Sequence, residues 1–368
     1  MFSMIKSISS FIIIISPLLI GSANNELSII AKLILYGYSL FLIFYAGVNF
    51  KIFKIKLDFN ALLLAIFAIY LVLRSNSMHG LMMALQFIIV LVIFVFYKGR
   101  TLPIISFEPR FMFLIALLVS LLEFLNPGLI FANKNYWSVM LLLYMMPCLF
   151  FVKNFYLLFL LSFVFLLFVI LSGSRAVLVS VVVSYIIVYW FISVKFSYKK
   201  IINIFLLVIF AWVLLFFLQS VYQNIDYYNS LFLEITGKRL ESGRIEIWTT
   251  LINHLTLLDV FFGKGGGVDV ESVINEKLSA HSNYVYLLFA YGAVGLILFL
   301  SVCTLSLSYL KREKMYISLF FSVALLFRDF FEVSLVHNNY PIAFFFWVVF
   351  LTSALELNLI KYNETKHA

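Results

Sequence analysis

The sequence predicts an all-α, polytopic integral membrane protein of about 12 transmembrane helices, with a long outer loop between spans 9 and 10 that holds short helices of its own. Three observations predict it. Of 368 residues, 64% are hydrophobic and 12% charged, with a mean hydropathy of +1.09, where a soluble domain carries about 25% charged residues. Apolar stretches of roughly 17 to 25 residues, long enough to cross hydrocarbon, recur along the chain. One interval, Asp226 to His281, is polar in a chain otherwise made of Phe, Leu, Ile and Val. Such a chain cannot cover itself with polar surface, so its solvent is the bilayer. Residues 1–368 form a single transmembrane domain, with 223–281 as a loop within it.

Taken in order, spans are expected near 8–23, 27–49, 59–74, 79–98 and 110–126, then near 134–152, 154–172, 176–194 and 201–222. After the loop, three more follow near 282–309, 315–334 and 340–360. Lys6 ahead of the apolar run Phe11 to Ile20 resembles a signal peptide, but the spans continue, so an uncleaved first helix is expected. Cys148 and Cys303 both lie in apolar runs and offer neither a disulfide framework nor a CxxC metal site.

The net charge of +9 is distributed by topology. Of the 26 basic residues, 16 fall in one set of inter-span loops, among them Lys51, Lys54, Lys56, Lys98, Arg100, Lys311, Arg312 and Lys314. The other 10 include Arg74, Arg175, Arg328 and the five basic residues of the long loop. The positive-inside rule then puts both termini in the cytoplasm and the long loop outside. Nucleic-acid binding is not needed to explain the charge.

Ser172-Gly-Ser-Arg175 breaks the apolar run from Phe155 to Val194 and reads as a tight outer turn. Arg175 there is either an interfacial snorkeller or a cation turned into a cavity. Ser172 and Ser174 supply hydroxyls just before a helix N-terminus, where a phosphate could approach. In Leu240-Glu-Ser-Gly-Arg-Ile-Glu-Ile-Trp248, Ser242 can cap a helix with Ile245, Trp248, Leu251 and Ile252 on one face, lying on lipid or on the bundle. Lys238, Arg239 and Arg244 suit lipid headgroups or, for the guanidinium groups, bidentate phosphate pairing. Gly263-Lys264-Gly-Gly-Gly267 lacks the spacing and context of a Walker loop and is expected to be a flexible turn back to the membrane. Asp269 and Glu271 alone do not make a metal site, and no cofactor is called for.

His281 opens the next span in Ala280-His-Ser-Asn-Tyr284, and its imidazole is a candidate general base. Asn283 and Tyr284 suit sugar hydrogen bonding and stacking, and Gly292 and Gly295 close helix contact. Arg328-Asp329, followed by Glu332 and His337, is an ionisable pair within a span, reading equally as an internal salt bridge or a substrate contact.

In that order, Ser-Gly-Ser-Arg175, Ser-Gly-Arg244-Ile-Glu-Ile-Trp248, Phe-Gly-Lys-Gly, His281-Ser-Asn-Tyr and Tyr-Gly-Ala-Val-Gly295 resemble the O-antigen polymerase and O-antigen ligase superfamily. The resemblance implies a metal-independent glycosyltransferase of the bacterial inner membrane, acting at the periplasmic face on undecaprenyl-pyrophosphate-linked glycans. It implies that Arg175 and Arg244 hold the donor pyrophosphate and that His281 activates the acceptor hydroxyl. Where the ligase pattern has His-Asn, this chain has His281-Ser282, with Asn283 one place on. The expected activity is polymerase, the alternative ligase, and a lipid-linked-sugar flippase the further alternative. Expected partners are the lipid-linked glycans, membrane lipids and a chain-length regulator.

Overall fold

The computed structural model describes residues 25–48, 58–100, 109–131, 134–150, 152, 154–172, 174–193, 244–268, 280–336, 340–352 and 356–357, with single positions 227, 230, 234, 270 and 273. At 25, 109, 134, 175, 189–193, 245, 340 and 341 only the backbone is described. The spans expected near 8–23 and 201–222 lie outside these residues.

The spans expected within them are helical, except that the one near 315–334 leaves the helix after Arg328 and the one near 282–309 is broken at Gly292. The helices are α1 (Asn25–Val48), α2 (Phe59–Leu73), α3 (Met78–Tyr97), α4 (Pro109–Leu125), α5 (Lys134–Leu149), α6 (Phe155–Leu171) and α7 (Arg175–Ser193). The outer-loop sequence gives α8 (Arg244–Asn253) and α9 (Leu257–Phe262). Then come α10 (Asn283–Arg312), α11 (Tyr316–Arg328) and α12 (Tyr340–Phe344), the last passing into a π-helical turn over Phe345–Phe350. Among them α1, α3 and α10 are long and apolar enough to cross a membrane by length and composition.

Capping follows the sequence. Asp58, Ser77, Asn154 and Ser282 each accept a first-turn N–H from Ala61, Gly80, Leu157 and Val285 respectively, relieving donors that a helix start leaves orphaned. Burial shows which solvent the bundle expects. Leu33, Phe44, Leu62, Leu114, Phe159 and Ile170 are exposed, whereas Ser39, Ser120, Ser180, Ser184 and Ser322 are fully buried. Ser39, Ser180, Ser184 and Ser322 donate back to the carbonyl four residues earlier. Small hydroxyls inside and large apolar side chains outside is the arrangement of helices packed in lipid.

The helices alternate in direction, and side-chain contacts fix which ends meet. At one end Lys98 pairs with Asp58 and lies over the Tyr309 ring, as does Arg312, while Phe150 packs on Phe320 and Glu356 accepts the Ser318 N–H. At the opposite end Asn135 meets Glu332, Trp137 meets Phe168, and Gly80 lies against Gly266. The turn from Ser172 to Arg175 is therefore at the second end, as are the starts of α5 and α7 and the finish of α11.

The helix α10 is not one rod. Gly292 has φ 67° and ψ −173°, and no continuous helix passes through that conformation. In a straight helix the Cα atoms of Tyr284 and Phe299 would be about 22 Å apart, yet their ring centroids are 6.2 Å apart. The segment before Gly292 thus folds back along the one after it. Gly292 permits the close helix contact expected of it, with α9, and is in addition a chain reversal. A Cβ there would also sit 2.3 Å from the Phe261 carbonyl oxygen. Gly295 keeps its expected place, since a Cβ there would lie 3.2 Å from Tyr70.

Candidate functional site

The reversal at Gly292 determines where the site lies. It lets α10 start below the rim, so His281, Ser282 and Asn283 sit within the bundle beside the end of α11. The Asn283 N–H donates to the carbonyl oxygens of both Asp329 and Glu332, at 2.9 Å each. These bonds stitch the start of α10 to the turn after α11. The Asn283 side chain is fully buried, and among the described residues neither its amide nitrogen nor its oxygen has a hydrogen-bond partner. Tyr284 is held by α11 and the turn after it. Its hydroxyl donates to the Leu326 carbonyl at 2.8 Å, and its ring lies 4.3 Å from that of Phe330.

Glu332 is the hub. Its Oε1 accepts from Asn135 Nδ2 at 2.6 Å and faces Arg244 Nη2 at 3.6 Å. The second contact is an ion pair, too long for a hydrogen bond. The Arg244 guanidinium also lies over the Phe331 ring, 5.7 Å from its centroid. Arg244 opens α8, which is seated by buried Ile247 and Leu251 and by Trp248 Nε1 donating to the Ala280 carbonyl at 2.8 Å. Ile252, expected on the same face, is exposed, while Ile247, outside the expected set, is buried. The seated side of α8 rests on the bundle through Ile247, Trp248 and Leu251.

His281, half-buried, follows directly on Ala280, so the Trp248 bond ties the arginine-bearing helix to the histidine. Its φ of 47° is left-handed, a conformation rare for a residue with a Cβ. Burial pushes its pKa below the ordinary 6.5, the Glu332 carboxylate raises it, and Arg244 lowers it. The net direction is down, so the imidazole is largely neutral at pH 7 and available as a base.

Arg328 and Asp329 are both buried and satisfied internally. Arg328 Nη1 donates to Ser334 Oγ at 2.9 Å, Ser334 Oγ donates to Asp329 Oδ1 at 2.5 Å, and the Leu335 N–H donates to Asp329 Oδ2 at 3.0 Å. This relay holds the turn that carries Glu332. Ser172 Oγ donates to the Val169 carbonyl at 2.7 Å and accepts the Ser174 N–H at 3.4 Å. Both serines are buried, immediately ahead of the Arg175 backbone at the same end of the bundle. The Arg175 side chain, and Lys238, Arg239 and His337, lie outside the described residues.

The glycine-rich stretch is corrected. It is not a flexible turn but a clamped one. The N–H groups of Lys264 and Gly265 donate to the carbonyls of Phe289 and Ala290, the Gly266 N–H to Arg74, and the Asn76 N–H to the Gly266 carbonyl. A Cβ on Gly80 would stand 2.0 Å from the Gly266 oxygen. Lys264 pairs with Asp259 at 3.4 Å. Neither Asn135 nor Glu332 was singled out as a site residue in the sequence. The polar run Asn-Lys-Asn135-Tyr at the start of a span was the available signal.

The fold and site define a helical membrane protein with a cation, a neutral imidazole and a carboxylate gathered at one end of its bundle. Residues 158–300 match the model of a family described as O-antigen ligase. The match supports the O-antigen polymerase and ligase superfamily, membrane enzymes of the glycosyltransferase type. It spans the Ser172 to Arg175 turn, Arg244, His281 and Gly292, and stops short of Arg328 and Glu332. No curated protein matches the chain.

Proposed function

We propose that this protein is a surface-polysaccharide polymerase of the O-antigen type, transferring an undecaprenyl-pyrophosphate-linked glycan chain onto a lipid-linked repeat unit. The observation that carries it is the convergence of Arg244 and His281 on Glu332, at the bundle end opposite Lys98, Arg100, Lys311 and Arg312. The positive-inside rule makes that basic end cytoplasmic and the site periplasmic. Activated nucleotide sugars are cytoplasmic, so an outward-facing site suits a lipid-linked donor.

The chemistry asked of the cluster is modest. His281 takes the proton of an acceptor sugar hydroxyl, whose oxygen bonds to the anomeric carbon of the donor sugar. The carbon–oxygen bond to pyrophosphate breaks and its electron pair leaves with the phosphate. Arg244, together with Arg175, stabilises the charge that develops there, which guanidinium groups can do without a metal. A single displacement inverts the anomeric configuration. In this reading Lys238, Arg239 and Lys264 draw the anionic donor to the mouth, and Ser172, Ser174, Asn283, Tyr284, Arg328, Asp329 and His337 shape the binding site. Arg328 and Asp329 act there by holding the Glu332 turn.

The family description favours a second reading, ligation of the finished chain to lipid A core. Deleting the gene and resolving surface glycolipid by electrophoresis separates them. Core bearing a single repeat is the polymerase result. Bare core with accumulating lipid-linked polymer is the ligase result. Unaffected long chains would overturn both. In inserted, folded protein, Arg175→Ala and Arg244→Ala should each lower chain formation at least tenfold, and normal chains in both would remove the proposed pyrophosphate clamp.

A further inference from the structure

The outer-loop sequence contains a helix whose environment its length does not explain. The six residues of α9 include Leu257 and Leu258, 78% and 72% exposed, and Phe261 and Phe262, each about half exposed. In water, so short and apolar a segment has little reason to be helical. Yet both of its ends are tied down within the protein. At the start, Thr256 and Asp259 form a reciprocal capping box, the Thr256 N–H donating to Asp259 Oδ2 at 3.0 Å and the Asp259 N–H to Thr256 Oγ1 at 3.3 Å. At the finish, the Phe262 carbonyl accepts from Arg74 Nε at 2.9 Å and Tyr70 Oη at 3.3 Å, and the Gly263 carbonyl accepts from Arg74 Nη2 at 2.5 Å. Carbonyls at the finish of a helix in contact with hydrocarbon need such partners inside the protein, and Arg74 and Tyr70 supply them.

The same bonds place α9 on the outer end of α2, whose Ile69 and Leu73 are 58% and 75% exposed. The exposed side of α9 thereby continues the lipid-facing side of a bundle helix. From these two observations, the engaged ends and the continuous apolar face, we infer that α9 is immersed in the bilayer and that the acyl chains of membrane lipid are its partner. The polar loop is therefore not wholly aqueous. It dips into the membrane at α9, and Arg74 is the cation that holds it there. Because the Phe261 carbonyl lies against Gly292, the depth of α9 also sets the reversal that carries Asn283 and His281.

The test is nitroxide labelling of the full chain in phospholipid vesicles, at Leu257→Cys, Leu258→Cys and, for reference, Glu246→Cys on the exposed side of α8. The native Cys148 and Cys303 are buried and serve as the unlabelled background. Power-saturation measurements should find the two α9 labels at least threefold more accessible to oxygen than to a water-soluble nickel chelate, and the Glu246 label the reverse. Nickel accessibility at both α9 positions would overturn the inference by making α9 aqueous. Inaccessibility to both reagents would overturn it too, by showing a protein partner on that face. Using two α9 positions keeps the test decisive if one variant does not fold. The readout is independent of transfer activity, so its failure would leave the proposed function standing.

Discussion

At the residue scale, the central relationship is that one carboxylate serves two functional groups. Glu332 faces Arg244 at 3.6 Å and raises the pKa of His281 against burial and against Arg244. Replacing it by Gln removes the raising influence, so the imidazole pKa falls further below 6.5. The acid limb of kcat/KM for glycan transfer, which follows the neutral imidazole, should then move to lower pH, with a lower plateau because Arg244 loses its partner. A pH–rate profile checks this, and a limb that stays put would mean that His281 is not the titrating base. The sign for stability follows the same shift. A lowered folded-state pKa means the unfolded chain binds more protons, so His281 costs stability as pH falls from about 6.5 through the folded value. His281 and Arg244 were legible because they stand in short polar motifs. Glu332 and Asn135 lie 197 positions apart in the chain, and no local pattern joins them.

At the element scale, α10 departs most from what its sequence suggests. Asn283 to Arg312 is apolar throughout its middle, and a glycine in such a run normally lets two helices approach. What the apolar run does not announce is the left-handed backbone at Gly292 and the identity of the helix that approaches it through the Phe261 carbonyl. Neither is visible to a pattern of hydrophobic residues, since the partner strip comes from α9. Gly292→Ala must both adopt a disfavoured φ and displace that carbonyl, at a combined cost of about 2–4 kcal/mol. A thermal shift assay should show a clear fall in Tm, with glycan transfer lost at temperatures where the wild type is active. An unchanged Tm would show that the reversal is not required. The other spans were easier to read, because apolar length alone announces them.

At the scale of the whole molecule, alternating helices sort polar chemistry to one end and the Lys98 and Arg312 clusters to the other. The described parts of the loop sequence are tied into the bundle through α8, α9 and the clamped glycines. In the proposed function, the site draws on the α6–α7 turn, the start of α8, the fold-back of α10 and the turn after α11. The most direct measurement is reconstitution of the purified protein in vesicles with a single undecaprenyl-pyrophosphate-linked repeat as both donor and acceptor, products being resolved by size. The account predicts a ladder of longer lipid-linked chains from the wild type and none from His281→Ala or Arg244→Ala. An equal ladder from both variants, or no extension of the repeat by the wild type with or without added lipid A core, would contradict it.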